Sequence, residues 1–332
     1  MGEKLTTPLT EQLTALVKHA KITSEAEVRT PENAESTIAS GEADLVSFVR
    51  GQIADPHLAH KVPEGQAGDV RGCIACNQLC WGRRSRDCWI SCLIDPSAER
   101  QFEWGRDRFT KAGQPRLVLV VDAGPMGLAA VWASAERGHR VDVHEAGHMV
   151  GGQFRVAGMQ PRRGLIIDLM GWYEQQLAQP GVALHLDSYL DRAGITAHSA
   201  DHVIIATGCL PDETEFRRWV PHEETLRSID LGHVWSPEAV LRREARLRIA
   251  LIVDDQGSNG RGVGLAWALA EQGKRVLVVT PEAFVGRKIA CAAADGPAWR
   301  HIAQLGVQMR CEHMVMLWHG NGATASPADG TE

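Results

Sequence analysis

Hydrophobic and polar positions first predict a buried strand, a glycine turn and a helix in the middle of the chain. The run at 116–121, which is apolar from Leu117 onward, is typical of a parallel strand covered on both faces. The turn 122–127, a helix over 128–137 and a second strand over 140–145 follow it. Together with another apolar run at 203–208, this order predicts a βαβ unit with a parallel sheet.

The same pattern recurs near the C-terminus. A strand is predicted over 247–253, a glycine-rich turn over 255–262, a helix over 263–271 and a strand over 275–280. The chain is therefore expected to carry two dinucleotide-type domains side by side. The small, polar tail 320–332 is predicted to be disordered.

The N-terminal segment, residues 1–62, alternates between helix and strand patterns. Thr30 and Pro31 form a helix start, with the threonine as cap, and the helix should stop at Gly41. The stretch 43–50 predicts a strand. Two short βα units cannot close a sheet, so this segment is interpreted as part of a larger barrel.

Composition narrows the class of protein. With 332 residues, 44% apolar and 23% charged, the chain is typical of a globular protein of about two domains. Its net charge of −6 argues against a sequence-independent nucleic-acid binder. No apolar run approaches the ~18 residues of a membrane span, and no signal pattern opens the chain, so a cytoplasmic location is expected.

Cysteine is the most informative residue type. Three of the eight cysteines are scattered, and five fall between positions 73 and 92: Cys73, Cys76, Cys80, Cys88 and Cys92. A disulfide-stapled secreted domain would be short and cysteine-rich throughout. The cluster therefore predicts thiolate metal ligands, and a metal would also order the loop-rich segment 63–105.

Two ligand sets fit the spacing. Cys73, Cys76 and Cys80 on one tight loop, with Cys92 further on, suit a [4Fe–4S] cluster. Amide groups within that loop could then hydrogen-bond the sulfur atoms. If Cys88 takes the place of Cys80 in the ligand set, the four cysteines form two closely spaced pairs, 73/76 and 88/92. Two such pairs suit a structural zinc site. Spacing alone leaves both open.

The cysteine segment resembles the iron–sulfur segment of the trimethylamine dehydrogenase and 2,4-dienoyl-CoA reductase family. The resemblance is carried by 73–80 and 91–96, with 53–56 and 69–71 upstream, and it covers roughly residues 25–320. It implies a [4Fe–4S] cluster on Cys73, Cys76, Cys80 and Cys92, with Cys88 outside the pattern. Within the family, 89–92 and 103–105 are most similar to bacterial demethylases of small N-methyl amino acids such as dimethylglycine and N-methylproline.

The first glycine turn departs from the dinucleotide fingerprint. Gly124 and Gly127 match its second and third glycines, and Glu145 ends the next strand, where an acid can bind ribose hydroxyls. Asp122 replaces the first glycine and brings a carboxylate near a diphosphate. A domain that no longer holds its nucleotide is therefore the alternative interpretation.

The resemblance implies further contacts to FAD or ADP at Gly152, Gln153, Thr207 and Gly208. In the family, strands that follow the second domain complete the flavin site, and this chain is expected to lack them. The second turn, 255–262, does not have the fingerprint spacing, so nicotinamide binding is not favoured.

A flavin barrel needs ~250 residues, and far fewer precede the cysteines. The N-terminal segment therefore resembles only the end of such a barrel, and FMN is not expected on this chain alone. Arg50 occupies the position of a phosphate-binding arginine in the family, but without a barrel a surface charge is the favoured interpretation. No catalytic residue is assigned.

The fold class is thus α/β, with Rossmann-like domains preceded by a [4Fe–4S] loop and a barrel remnant. The expected segments are 1–62 (barrel remnant), 63–105 (cluster), 106–240 (FAD or ADP domain) and 241–332 (incomplete second domain). The leading hypothesis is an electron-transfer subunit or half-enzyme of an iron–sulfur flavoprotein amine dehydrogenase or demethylase.

That hypothesis needs a partner. Another subunit would supply the FMN barrel, or the chain would pass electrons to an acceptor of the electron-transfer flavoprotein or ferredoxin type. The second hypothesis is a structural or assembly subunit with degenerate nucleotide sites, and the third is a stand-alone NAD(P)H-dependent reductase.

Overall fold

The computed structural model describes residues 7–25, 28–104, 109–209, 214–217, 220–257 and 260–329. The chain divides into two compact units. The first comprises Met1–Gly151 and Leu165–Ala206, and the second comprises Gly152–Gly164 and Thr207–Glu332. None of the helices that the structure describes has the length and hydrophobicity needed to cross a membrane.

The first unit begins with short elements: α1 (Thr7–Leu16), β1 (Thr23–Ser24), α2 (Pro31–Ala39), β2 (Leu45–Val46), α3 (Val49–Ala54) and α4 (Leu58–Lys61). The strands β1 and β2 pair in parallel. The predicted helix start is confirmed, because the Thr30 side chain accepts a hydrogen bond from the Asn33 amide and Pro31 lies in the first turn.

The strand predicted over 43–50 is wrong for most of its length. Only Leu45–Val46 form a strand, and α3 begins at Val49. The strand ends early because β1 offers only two residues of backbone to pair with. Beyond them, helical hydrogen bonds satisfy the backbone instead.

The cysteine segment has little regular structure, as predicted. It holds a 3₁₀ turn and two single-turn helices: Ala67–Asp69, α5 (Trp81–Arg84) and α6 (Gln101–Trp104). Position 105, which ends the motif 103–105, lies outside the described residues.

A parallel sheet follows in the same unit, and its elements are β3 (Leu117–Val121), α7 (Pro125–Glu136), β4 (Arg140–His144), α9 (Leu165–Leu177), β5 (Val182–His185), α10 (Arg192–Ala197) and β6 (His202–Ile205). The strand order is β5-β4-β3-β6, with every pair parallel. Leu119, Val120, Val141 and Val143 are fully buried, as their apolar runs predict. The carboxyl ends of β3, β4 and β6 therefore lie at one edge of the sheet.

The second unit has its own parallel sheet, in the order β7-β8-β9. Its elements are α8 (Gly152–Gly158), α11 (Pro237–Leu241), β7 (Ala250–Asp254), α12 (Gly260–Glu271), β8 (Arg275–Val279), α13 (Asp295–Gln304), β9 (Gln308–Arg310), β10 (His313–His319) and β11 (Gly322–Pro327). Ala266, Val278 and Ile302 lie at the centre of its core. The α/β class with parallel sheets is thus confirmed.

The disorder predicted for the tail 320–332 is wrong for most of that range. Strand β11 pairs antiparallel with β10. Ala323 and Ala325 pack against a small apolar cluster centred on the fully buried Val315. The small side chains of β11 let it lie close to its neighbours. A composition of small, polar residues therefore does not indicate disorder here. Residues 330–332 lie outside the described part of the chain.

Candidate functional site

Four of the predicted ligands line one pocket of the first unit. Its cysteines are Cys73, Cys76, Cys80 and Cys92. Apolar side chains complete much of the wall, namely Ile53, Ile74, Leu79, Leu93 and Ile94. Cys88 does not line the pocket: it is exposed, and its thiol donates to the Arg86 carbonyl oxygen at 3.4 Å.

The backbone of the loop directs amide groups at the sulfur atoms. The Ala75 amide donates to Cys73 Sγ at 3.4 Å, and the Gln78 amide donates to the thiol of Cys76. Ala75 and Asn77 have φ of 51° and 54°, in the left-handed region. These left-handed residues lie in the loop whose Ala75 and Gln78 amides donate to sulfur, and such donors stabilise negative charge on sulfur.

Burial raises the pKa of three of these thiols. Desolvation raises that of Cys73 to about 11, and the pKa values of Cys76 and Cys92 rise for the same main reason. A metal group bound here must therefore displace protons from the thiols. Binding should strengthen as the pH rises.

Two arginines from the N-terminal segment hold the loop. Arg50 lines the pocket, and its Nη1 donates to Asn77 Oδ1 at 2.9 Å. Arg29 is buried, and its Nη1 donates to the Cys73 carbonyl oxygen at 2.7 Å. Arg50 is half-buried, and its guanidinium is bound to the cysteine loop.

A buried ion pair joins the two ends of the cysteine segment. Arg71 Nη2 lies 3.2 Å from Asp95 Oδ1, and the two side chains are only 6% and 2% exposed. Arg71 Nε also donates to the Ala54 carbonyl oxygen at 2.9 Å. Its guanidinium lies 5.0 Å from the ring centroid of Trp132 and 5.4 Å from that of Trp172.

Sequence reasoning missed this pair. Arg71 entered only as part of the resemblance, and Asp95 as a neighbour of Cys92. Charged residues immediately outside a cysteine cluster are a usable signal. Their pairing cannot be read from spacing, because the two ends of the segment meet only in the fold.

The first glycine turn is already engaged by its own side chain. Asp122 has φ of 84°, the left-handed conformation for which the fingerprint uses glycine. Its Oδ1 accepts a hydrogen bond from the Gly124 amide at 2.6 Å. At Gly127 a Cβ would collide with the Asp122 carbonyl oxygen, so this glycine permits the close packing of strand and helix.

Glu145 is buried and likewise engaged. Its Oε2 accepts from the Ala123 amide at 2.9 Å, and its Oε1 accepts from the Gly147 amide at 2.7 Å. A ribose would have to share or replace these bonds. Burial, with Glu145 as a lesser cause, raises the pKa of Asp122.

The other predicted nucleotide contacts belong to the second unit. Gly152 and Gly208 have φ of 47° and 61°. Gln153 Nε2 donates to the Cys209 carbonyl oxygen at 2.6 Å, while Thr207 begins the loop after β6. The predicted set of contacts is thus divided between the two units.

The second glycine turn also holds buried acids. Burial raises the pKa of Asp254 to about 8 and that of Asp255 to about 7. Asp255 Oδ2 accepts from the Gly286 amide at 3.2 Å, and Asp255 packs so closely on Gly262 that a Cβ there would collide with it. Positions 258 and 259 of this turn lie outside the described residues.

No protein-family model matches the chain, but individual proteins do. The "Probable N-methylproline demethylase" of Rhizobium meliloti is 33% identical over 250 residues, which are 75% of this chain and 35% of that protein. The "N,N-dimethylglycine/sarcosine dehydrogenase" of Chromohalobacter salexigens is 30% identical over 263 residues, 79% of this chain and 37% of that protein. The chain spans about a third of the length of these relatives.

Among solved structures, the 6-hydroxypseudooxynicotine amine oxidase of Pseudomonas geniculata is 26% identical, with a TM-score of 0.90 over 99% of this chain and 49% of that one. By their names, these relatives are oxidoreductases that act on amines. The resemblance to the trimethylamine dehydrogenase and 2,4-dienoyl-CoA reductase family is therefore confirmed, and this chain corresponds to part of such a protein.

Proposed function

We propose that this chain is the cluster-binding, electron-transferring part of an amine-oxidising iron–sulfur flavoprotein. The observation that carries the proposal is the pocket lined by Cys73, Cys76, Cys80 and Cys92, from which Cys88 is absent. That set matches the cluster spacing and not the zinc spacing.

The two metal groups would require different arrangements of the thiols. Tetrahedral zinc draws four sulfur atoms to within ~2.3 Å of one point, whereas each thiolate of a cubane binds a different iron. Within the described residues, no group of three or more Cys, His, Asp or Glu side chains is arranged around a single ion.

The residues of the chain have separable roles in this proposal. A [4Fe–4S] cluster would supply storage of single electrons. The four thiolates would hold it, and the amides of Ala75 and Gln78 would offset negative charge on the sulfur atoms. The apolar wall would limit the access of water.

The relatives supply the proposed substrate class. Those named above act, by name, on N-methylproline, on dimethylglycine or sarcosine, and on an amine. We propose that the complete enzyme oxidises a small N-methylated amine. The flavin site that oxidises the amine would then lie on a barrel outside residues 63–332. That barrel would belong either to a partner subunit or to another part of the same protein. The complete enzyme would work in the cytoplasm.

For FAD or ADP, the proposed site is the edge of the first sheet, whose order matches the doubly wound, Rossmann-like arrangement. A second candidate function, a structural subunit with degenerate nucleotide sites, is favoured by one observation: the Asp122 carboxylate holds the Gly124 amide. The buried Asp255 on the second turn argues in the same way against a stand-alone NAD(P)H-dependent reductase.

A matched pair of substitutions tests the proposal. The full chain, purified without oxygen, should lose most of its iron and acid-labile sulfide in Cys80→Ser and keep both in Cys88→Ser. Iron, sulfide and zinc are measured per protein in each variant. Bound zinc that survives Cys80→Ser and is lost in Cys88→Ser would contradict the cluster.

A further inference from the structure

Charged side chains lie at both ends of the cysteine segment, and one pair is buried. Arg71 precedes Cys73 by two positions, and Asp95 follows Cys92 by three. Their ion pair is 3.2 Å long, and the Asp95 amide also donates to the Cys92 sulfur atom. The pair is therefore placed to act on the pocket from a fixed position.

The surroundings keep both charges in place. Asp95 Oδ1 also accepts from the Ser97 amide at 3.0 Å and from the Ser97 hydroxyl at 2.8 Å. Arg71 is packed against the rings of Trp132 and Trp172. Side chains held in this way cannot swing into solvent to be screened.

Each partner keeps one polar atom without a hydrogen bond. Arg71 Nη1 and Asp95 Oδ2 are buried, and neither has a partner in the described part of the chain. Buried polar atoms are rarely left so. In a medium of low dielectric constant, the charge they carry acts strongly on any charged group nearby.

Cys92 is such a group. Its sulfur atom accepts a hydrogen bond from the Asp95 amide, and the carboxylate of the same Asp95 is paired with Arg71. A guanidinium stabilises negative charge nearby, and a carboxylate destabilises it. A group bound to Cys92 would experience both fields.

We infer that Arg71 and Asp95 are positioning residues that set the reduction potential of the group held by the four cysteines. The inference rests on the proposed function, since it requires a redox cluster in the pocket. Reduction adds negative charge, so a nearby cation raises the potential and a nearby anion lowers it. Neither residue needs to touch the cluster.

The test is a redox titration of the full chain, followed by optical absorption and electron paramagnetic resonance. Arg71→Gln should lower the ratio of reduced to oxidised cluster at a fixed poise by about tenfold, or about 59 mV for one electron. Asp95→Asn, which keeps the shape of the side chain, should raise it similarly. Arg71→Lys should stay near the wild type because it keeps the charge.

Arg84→Gln is the matched control. Arg84 lies in the same segment, over the Trp81 ring, but it is exposed whereas Arg71 and Asp95 are buried. Water screens its charge, so its loss should leave the potential unchanged. Shifts of equal sign in Arg71→Gln and Asp95→Asn, or no shift in both, overturn the inference. Should Arg71→Gln fail to fold, Asp95→Asn decides: a rise supports the inference and an unchanged potential overturns it.

This outcome is distinct from failure of the proposed function. Wild-type protein without iron would overturn the cluster itself, before any variant is compared. If the protein binds iron but its reduction potential does not change in either variant, only the role of the ion pair is overturned.

Discussion

The cysteine pocket and the first glycine turn lie in the same unit but differ in one respect. In the pocket, the chain supplies four thiols and several donors, and the amides point at sulfur. In the turn, the groups that would meet a nucleotide already bind one another: Asp122 holds Gly124, and Glu145 holds Ala123.

The difference shows how the side chains at a turn can open or close a binding site while the strands around it stay the same. A pocket of buried thiols gains stability when a metal group replaces protons, whereas a turn closed by its own carboxylate must break bonds before it binds. The sheet edge is therefore present in both interpretations of the nucleotide site. The side chains at positions 122 and 145 are what differ from an open site.

Removing the metal group should have the largest effect. The cysteine segment has few regular elements, so its order depends on the ligands. Chelation under oxidising conditions should remove ~5 kcal/mol or more of stability, which lowers Tm by ~10 °C or more. Differential scanning calorimetry measures this, with the same treatment of Cys80→Ser as the control. An unchanged Tm would show that the segment is ordered without a metal.

The buried ion pair of Asp55 and Lys61 comes next. Asp55 Oδ2 accepts from Lys61 Nζ at 2.6 Å and from the Arg71 amide at 3.0 Å. Asp55→Ala leaves the buried ammonium with only the more distant Asp69 carboxylate, at 3.4 Å, and should cost about 3 kcal/mol in the free energy of unfolding by urea. Lys21→Ala, at the exposed pair with Asp44, should cost far less. Equal losses would refute the distinction.

Opening the glycine turn should have a smaller effect, in the direction of binding. Asp122→Gly keeps the left-handed conformation, frees the Gly124 amide and removes a negative charge. Calorimetric titration with ADP and FAD should show about tenfold tighter binding, or about 1.4 kcal/mol. Asp122→Asn, which removes charge but keeps the hydrogen-bonding oxygen, should lie between. Unchanged affinity in both variants would mean that Asp122 is not what closes the site.

The smallest effect concerns pH at His144, the last residue of β4 in the same sheet. Burial, and then His185 and His198, lower the pKa of His144. The unfolded chain therefore binds a proton more readily, and this site should reduce stability as the pH falls below about 6.5. His144→Gln should flatten the pH dependence of Tm between about pH 7 and 5. A profile that does not change would assign the effect elsewhere.

Sequence patterns predict the elements that long apolar runs define. The run 116–121 became β3, and the threonine cap at Thr30 was confirmed. Patterns fail where the presence or length of a strand depends on the strand that it pairs with. Strand β2 ends after two residues because its neighbour does, and β11 forms because β10 lies beside it.

The candidate site divides in the same way. Spacing already gave both cysteine sets, and the resemblance chose between them. The contacts of Arg50 with Asn77 and of Arg71 with Asp95 join residues 27 and 24 positions apart. Nothing local in the sequence predicts such contacts, because only the tertiary fold brings these side chains together.

The central claim is that this chain binds a [4Fe–4S] cluster through Cys73, Cys76, Cys80 and Cys92. Its most direct test is iron, acid-labile sulfide and zinc analysis of the anaerobically purified wild-type chain, combined with its visible spectrum. The account predicts about four irons and four sulfides per chain, with absorption near about 400 nm that bleaches with dithionite. Stoichiometric zinc with a featureless visible spectrum would contradict it.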